Sequence, residues 1–163
     1  MKTERIRLFL STSVAAGLLA LTPACALIPP AQNSGTAVAS NGVEVAVLRQ
    51  SCTTTVEPLF PGNNLIEATV EVQVRNAAQP PLVVHRDAFR LRGPDGRAIP
   101  TTTWNAGEPL SIDAGQAATF ELRFMSRGGL SCTKAMQLEA AAGITKGAAP
   151  VQIGAVTFVP SHV

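Results

Sequence analysis

"LIEATVEVQVRN", residues 65–76, alternates without a slip. Ile66, Ala68, Val70, Val72 and Val74 fall on one side, and Glu67, Thr69, Glu71, Gln73 and Arg75 on the other. Side chains of an extended chain point to opposite faces in turn, so this run is a strand with one face buried and one in water. A helix would need apolar residues three and four apart, and this stretch would scatter its own around the cylinder.

The same period extends in both directions. "VEVAVLRQS" sets Val43, Val45 and Val47 against Glu44, Ala46 and Leu48. "DAFRLRGPDGRAIP" turns Phe89 and Leu91 inward and Arg90 and Arg92 outward, and Gly93-Pro94-Asp95-Gly96 then makes a tight turn. "ATFELRFMS" opposes Phe120, Leu122 and Phe124 to Glu121, Arg123 and Met125. "CTKAMQLEA" presents Met136, Leu138 and Ala140, and "VQIGAVTFVP" is a last strand ended by Pro160. The stretch from Lys134 is rich in helix formers, but its alternating faces and strand neighbours favour a strand. Turn signals such as "PGNN", "NAAQPP", "DAGQ" and "KGAAP" recur about every ten residues, the spacing of an all-β antiparallel sandwich.

The first residues belong to a different physics. Lys2, Arg5 and Arg7 precede a short uncharged apolar run that stops at Pro23, followed by small residues. A positive start, a short apolar core and a small-residue exit describe an export signal, and the run is too short for a membrane span of roughly 20 residues. Two exits are open. Ala24-Cys25-Ala26 suits ordinary cleavage after Ala26. Cleavage before Cys25 with acylation of its thiol suits Ala24, although Leu21 stands one place too early for a lipobox and Pro23 sits at the second position. The uncharged, aperiodic "LIPPAQNSGTAVASNG" that follows reads as a flexible tether, useful between an anchor and a domain, and favours lipidation of Cys25. The expected organisation is an export signal at 1–26, a linker at 27–41, a sandwich at 42–160 and a tail at 161–163. Exported, the chain is either a membrane-anchored lipoprotein or a soluble periplasmic or secreted protein.

Either exit removes Cys25 from the thiol pool and leaves Cys52 and Cys132 of the three cysteines. Two cysteines in an exported domain are expected to pair. Closing a loop of that length stabilises by at most about 4.5 kcal/mol in the chain-entropy picture. The charge also changes on processing. Of 13 Lys plus Arg and 11 Asp plus Glu, the leader takes three and one, leaving ten of each. A chain without basic excess is a poor candidate for nucleic acid or for electrostatic attachment to anionic membranes. Contact with a membrane is expected only through an anchor at Cys25.

One resemblance follows from these residues. A strand ending at Asn76 leads through a Pro-containing connection to Asp87, Phe89 and Leu91, and on to the Asp95-Gly96 turn. Later Leu110 to Gln116 precede the aromatic strand "FELRF", with "DAG" in place of a Pro-Gly turn. The pattern, over residues 43 to 158, resembles the small immunoglobulin-like domains of bacterial secreted proteins and lipoproteins, the group that includes the mycobacterial secreted immunogenic protein. The resemblance implies an immunoglobulin-like fold in the cell envelope. It carries over no functional residue, since members generally lack a known enzymatic activity.

The chemistry-bearing residues are few. Of two histidines, His162 is penultimate, and His85 with Asp87 lacks a framed serine nucleophile. The two are expected to share a face at a strand end. A copper centre would ask for a second histidine near Cys132 and Met136, and zinc for closely spaced Cys and His. No cofactor, metal or catalytic residue is assigned. Two features suit binding. Arg86, Arg90, Arg92 and Arg97 cluster within a dozen residues, with the plain reading a solvated face paired to Glu121 or Glu71. Trp104, the only tryptophan, either covers one end of the core or anchors a partner, and the first reading is preferred. The expectation is a non-enzymatic binding module for an envelope protein or polymer. The alternatives are a structural accessory of an envelope complex and, further off, a hydrolase.

Overall fold

Alternation becomes strands throughout the residues that the computed structural model describes, namely 35–38, 41–56, 64–140 and 143–162. The leader, Cys25 and residues 27–34 of the expected linker lie outside them. The strands in chain order are β1 (Thr36–Val38), β2 (Val43–Val56), β3 (Asn64–Asn76), β4 (Leu82–His85), β5 (Phe89–Arg92), β6 (Ala98–Pro100), β7 (Pro109–Ile112), β8 (Ala117–Ser126), β9 (Met136–Ala140), β10 (Ile144–Lys146), β11 (Ala149–Pro150), β12 (Val156–Phe158) and β13 (Ser161–His162). A 3-10 turn at Arg86–Ala88 separates β4 from β5. The stretch after Lys134 holds a strand, β9 from Met136, as its alternation requires.

The first layer is built on the longest strands. β2 pairs antiparallel with β3, and β3 with β8. The other edge of β2 takes β1 antiparallel and β13 parallel. Residues 36–38 thus extend the sheet where a tether was expected, and 161–162 do so where a tail was expected. Backbone N–H and C=O groups along the edge of β2 favour both additions, and neither short segment has an alternation of its own to announce it.

Even positions of β3 face inward from Ala68 to Val74 and are buried. β2 begins in odd phase, with Val43, Val45 and Val47 inward. A bulge between Val47 and Arg49 then absorbs one residue, and the buried set continues as Gln50 and Cys52. A residue added to one strand of a ladder resets the facing of everything after it. In an unbroken ladder Cys52 would point to solvent. The bulge is what lets it reach Cys132, with which it forms a disulfide across 80 residues, Cα to Cα 5.3 Å.

The second layer consists of two four-stranded sheets, ordered β11-β10-β4-β7 and β12-β9-β5-β6. They share their chain: β4 passes through the 3-10 turn into β5, and β9 precedes β10 by three residues. The layer is therefore four columns wide and interrupted across its middle. The His85 amide donates to the Gly143 carbonyl there, at 3.1 Å. Gly143 has φ +115°, and a Cβ on it would lie 3.0 Å from that of Ala88. Both layers feed one core, in which Phe89, Phe124, Leu82, Leu91, Leu122, Met136 and Leu138 are the largest contributors together with the β2 and β3 valines. The result is the antiparallel β-sandwich expected from the alternation.

Asn76 explains why a strand should end in a buried amide. Its side chain is fully enclosed. Its Nδ2 donates to the carbonyls of Pro80 and Ile112, both at 3.1 Å, and its Oδ1 accepts from the Ala78 amide at 3.4 Å. One side chain satisfies three backbone groups where β3 leaves the first layer for the second.

Candidate functional site

Trp104 is 86% exposed, more than any other large apolar side chain among the described residues. It does not cover the core, contrary to the expectation. The core end near it is closed instead by Phe89 and Phe120, whose rings meet at 5.8 Å and a tilt of 59°. Trp104 stands on the connection between β6 and β7, residues 101–108, and that connection is held along its whole length.

Its first part is tied to the edge of β8. The Thr102 amide donates to the Arg123 carbonyl at 2.7 Å, and the Thr101 hydroxyl to the same oxygen at 3.0 Å. The Arg123 amide donates to the Thr103 hydroxyl at 2.8 Å. Threonine suits this work, because its hydroxyl can supply a ladder bond where the backbone does not. The second part is tied to the interruption of the second layer. Arg86 Nη2 donates to the Asn105 carbonyl at 2.9 Å, the Asp87 amide to the Ala106 carbonyl at 2.9 Å, and His85 Nδ1 bonds the Gly107 carbonyl at 2.9 Å. Asn105 closes the turn at φ +54°, a conformation asparagine tolerates better than most residues, and its carbonyl also accepts from the Glu108 amide at 3.1 Å.

Two arginines flank the indole. Arg123 is paired with Glu121 at 2.9 Å, which holds its guanidinium more firmly protonated than usual, first through the hydrogen bond and then through charge. Arg86 makes no ion pair among the described residues, and its Nε is buried without a partner. Arg86, Thr102, Thr103, Trp104, Phe120 and Arg123, with Glu121, line an open cleft of about 610 Å³.

The other expected residues lie elsewhere. Arg90 and Arg92 do share the outer face of β5, yet neither meets Glu121 or Glu71. Those carboxylates belong to the first layer, where Glu71 pairs with Arg49 at 3.5 Å and stands directly across from Glu121. Partner choice follows sheet register, which alternation within one strand does not specify. Arg92 forks onto Glu139 of the neighbouring strand, Nε to Oε1 at 2.6 Å and Nη2 to Oε2 at 2.9 Å. Arg90 Nη1 donates to the carbonyls of Asp87 and Phe89. Arg97 pairs with Asp95 at 2.7 Å within the tight turn, and that hydrogen bond is the main cause holding the Asp95 carboxyl below its ordinary range. Neither Arg90 nor Arg92 lines the Trp104 cleft.

His85 and Asp87 do not share a strand face, because the strand ends at His85 and the 3-10 turn begins at Arg86. The turn points all three of His85, Arg86 and Asp87 at one loop, the His85 and Arg86 through side chains and Asp87 through its backbone. Cys132 and Cys52 are committed to each other, and among the described residues no three Cys, His, Asp or Glu side chains are grouped to hold a metal. His162 pairs in register with Cys52 through the backbone of β13. Arg86, Arg123 and the three threonines were the residues the sequence did not single out for this loop; "TTTWN" carried the signal, hydroxyls in series before an aromatic and a turn-forming asparagine.

No family model matches the chain, and no curated protein is found similar to it. Solved structures are similar in fold. A "putative lipoprotein" of Bacillus subtilis superposes with a TM-score of 0.55 at 17% identity over 76% of this chain. The chain spans 38% of the length of that protein. A protein of unknown function from Listeria monocytogenes gives a TM-score of 0.53 at 15% identity, covering 80% of this chain and 83% of its own. The secreted protein MPT63 of Mycobacterium tuberculosis gives 0.41 at 20% identity, over 72% of this chain and 89% of its own. At these identities the first two likenesses speak to the fold alone.

Proposed function

We propose that this protein is exported to the cell envelope and acts there by binding, without catalysis, through the loop that carries Trp104. The carrying observation is an indole 86% exposed on a loop fixed by backbone and side-chain hydrogen bonds at both ends. Large exposed aromatics are unfavourable in water, and a fixed one loses little further entropy when a partner covers it. Tryptophan at such a position is the residue type that most often dominates an interface. His85, the histidine that a catalytic pair with Asp87 would need, bonds the Gly107 carbonyl of this loop at 2.9 Å.

Export is supported by the leader sequence and by a disulfide of the kind that persists outside the cytoplasm. The Bacillus neighbour is a "putative lipoprotein", and acylation of Cys25 would give this chain an anchor of the same kind. Two measurements test the reading. Sedimentation of the purified protein with isolated cell envelopes should occur for wild type and fall at least about tenfold in affinity for Trp104→Ala, the loss expected of an interface anchor. Equal co-sedimentation of the two proteins overturns the binding role of the loop. Intact mass of the processed chain should show acyl additions on Cys25; an unmodified start at Leu27 removes the anchor and leaves export standing.

A further inference from the structure

The Trp104 cleft has a chemistry narrower than binding in general, and the inference drawn from it rests on the binding role proposed above. We infer that its ligand is an anionic saccharide, a sugar ring seated on the indole with its carboxylate on Arg86. Three features converge on that class.

The first is the indole face itself. A pyranose ring presents C–H groups with a slight positive charge on one side, and an aromatic face is electron-rich, so the two stack. Among the described residues, the neighbours of Trp104 in the cleft are two arginines, a glutamate, two threonines and the half-buried Phe120, a polar lining rather than an apolar recess for a peptide side chain. Flat aromatic plus hydroxyl and guanidinium donors is a surface for a polyhydroxylated ring.

The second is the state of Arg86. Its guanidinium bonds one carbonyl, makes no ion pair among the described residues, and has a buried Nε without a partner. Arg123 on the other side is already neutralised by Glu121. The side chains that line the cleft thus count two arginines to one glutamate, with Arg86 the planar donor that no carboxylate pairs among the described residues, and planar donors suit a carboxylate.

The third feature argues against an extended peptide. An extended peptide commonly docks by adding a strand to a free sheet edge. The β8 edge beside the cleft is not free at Arg123. Its amide goes to Thr103, and its carbonyl accepts from Thr101 and Thr102. What the threonine segment closes to a strand it leaves open to a ring.

The protein supplies its own reporter, since Trp104 is the only tryptophan. The processed protein is titrated with trigalacturonate, with its fully methyl-esterified form, and with tri-aspartate, while indole emission is followed. Trigalacturonate should give a saturable blue shift. The ester, which keeps the rings and loses the charges, should bind at least about tenfold more weakly, as should Arg86→Gln toward the acid. The ester arm needs no variant, so it holds even if Arg86→Gln loosens the loop. Absence of a saturable shift with trigalacturonate overturns the assignment, as does equal affinity for acid and ester, or a tri-aspartate affinity equal to that of the sugar. Envelope co-sedimentation that depends on Trp104 separates the two levels. If it persists while the sugar fails, only the saccharide class is wrong; if it is absent, the binding role fails with it.

Discussion

The two layers of the sandwich solve the same problem differently. In the first, β2, β3 and β8 run 14, 13 and 10 residues, and one bulge is their main irregularity. In the second, strands run two to five residues, and the layer is cut across its middle by a 3-10 turn and by the stretch that includes Gly143. The long layer is held by long continuous ladders, β2 with β3 and β3 with β8. The break in the second layer turns the side chains of His85 and Arg86 and the backbone amide of Asp87 toward one place, and all three are used on the Trp104 loop. An interruption that costs ladder hydrogen bonds thus supplies the fixtures of the candidate site, in keeping with the tendency of binding groups to sit on loops positioned by a rigid scaffold.

Perturbations of the links between the layers test that division, beginning with the strongest. The Cys52–Cys132 disulfide ties β2 to the approach to β9, and both sulfurs lie in the core. Cys52→Ser with Cys132→Ser should lower unfolding free energy by up to about 4.5 kcal/mol in urea titrations. A loss below about 1 kcal/mol would mean that the layers hold together without it.

Next is Asn76→Ala. It strands two carbonyls and an amide at the crossing from β3 into the second layer. The expected cost is about 2–3 kcal/mol by equilibrium denaturation, since buried groups lose their partners without water to replace them. Asn76→Asp should also destabilise, because a carboxylate cannot donate to Pro80 and Ile112.

A smaller effect is expected at the loop. His85→Ala removes one exposed hydrogen bond to Gly107, worth about 0.5–1.5 kcal/mol, while the emission anisotropy of Trp104 should fall as the loop loosens. Unchanged anisotropy would show that His85 is not a fixture of the loop.

The least costly change is at the outer face of the second layer. Arg92 is the first cause holding the Glu139 carboxyl below its ordinary range, through the forked hydrogen bond, with charge adding to it. Arg97 does the same for Asp95. Both carboxyls are more acidic folded than unfolded. Their contribution is present above the ordinary carboxylate pKa of about 4, and is lost as pH falls through the depressed folded values. Glu139→Gln should cost under about 1 kcal/mol at neutral pH, as half-exposed pairs do, and should flatten the acid limb of a stability–pH profile. A steeper acid limb in the variant would reverse the sign assigned to the pair.

The contrast between layers is also a contrast in what a reader of the sequence can see. Val70, Val72, Val74, Leu122, Phe124, Leu91 and Leu138 declare themselves by alternation, and every one is buried. The pairing of Cys52 with Cys132 follows from compartment and count. The bulge at Leu48 is invisible, because a phase change inside a run looks like a weaker strand. The 3-10 turn hides in "HRDAF", where His85 and Asp87 seem two places apart on one face and are instead on opposite sides of a strand end. The partners of Arg92 and of Glu71 depend on register between strands far apart in sequence. Trp104 was legible as a candidate; its exposure was not, because whether an aromatic between strands folds onto the core depends on what already closes it, here Phe89 and Phe120.

The claim on which the rest depends is that the cut in the second layer holds the Trp104 loop still while leaving its indole in water. Backbone ¹⁵N relaxation of residues 102–107 addresses it directly. Order parameters close to those of β3 and β8, about 0.85, are predicted for these amides, with a Trp104 indole N–H that exchanges freely with solvent. Values below about 0.6, the range of a mobile loop, or an indole N–H protected from exchange, would contradict it.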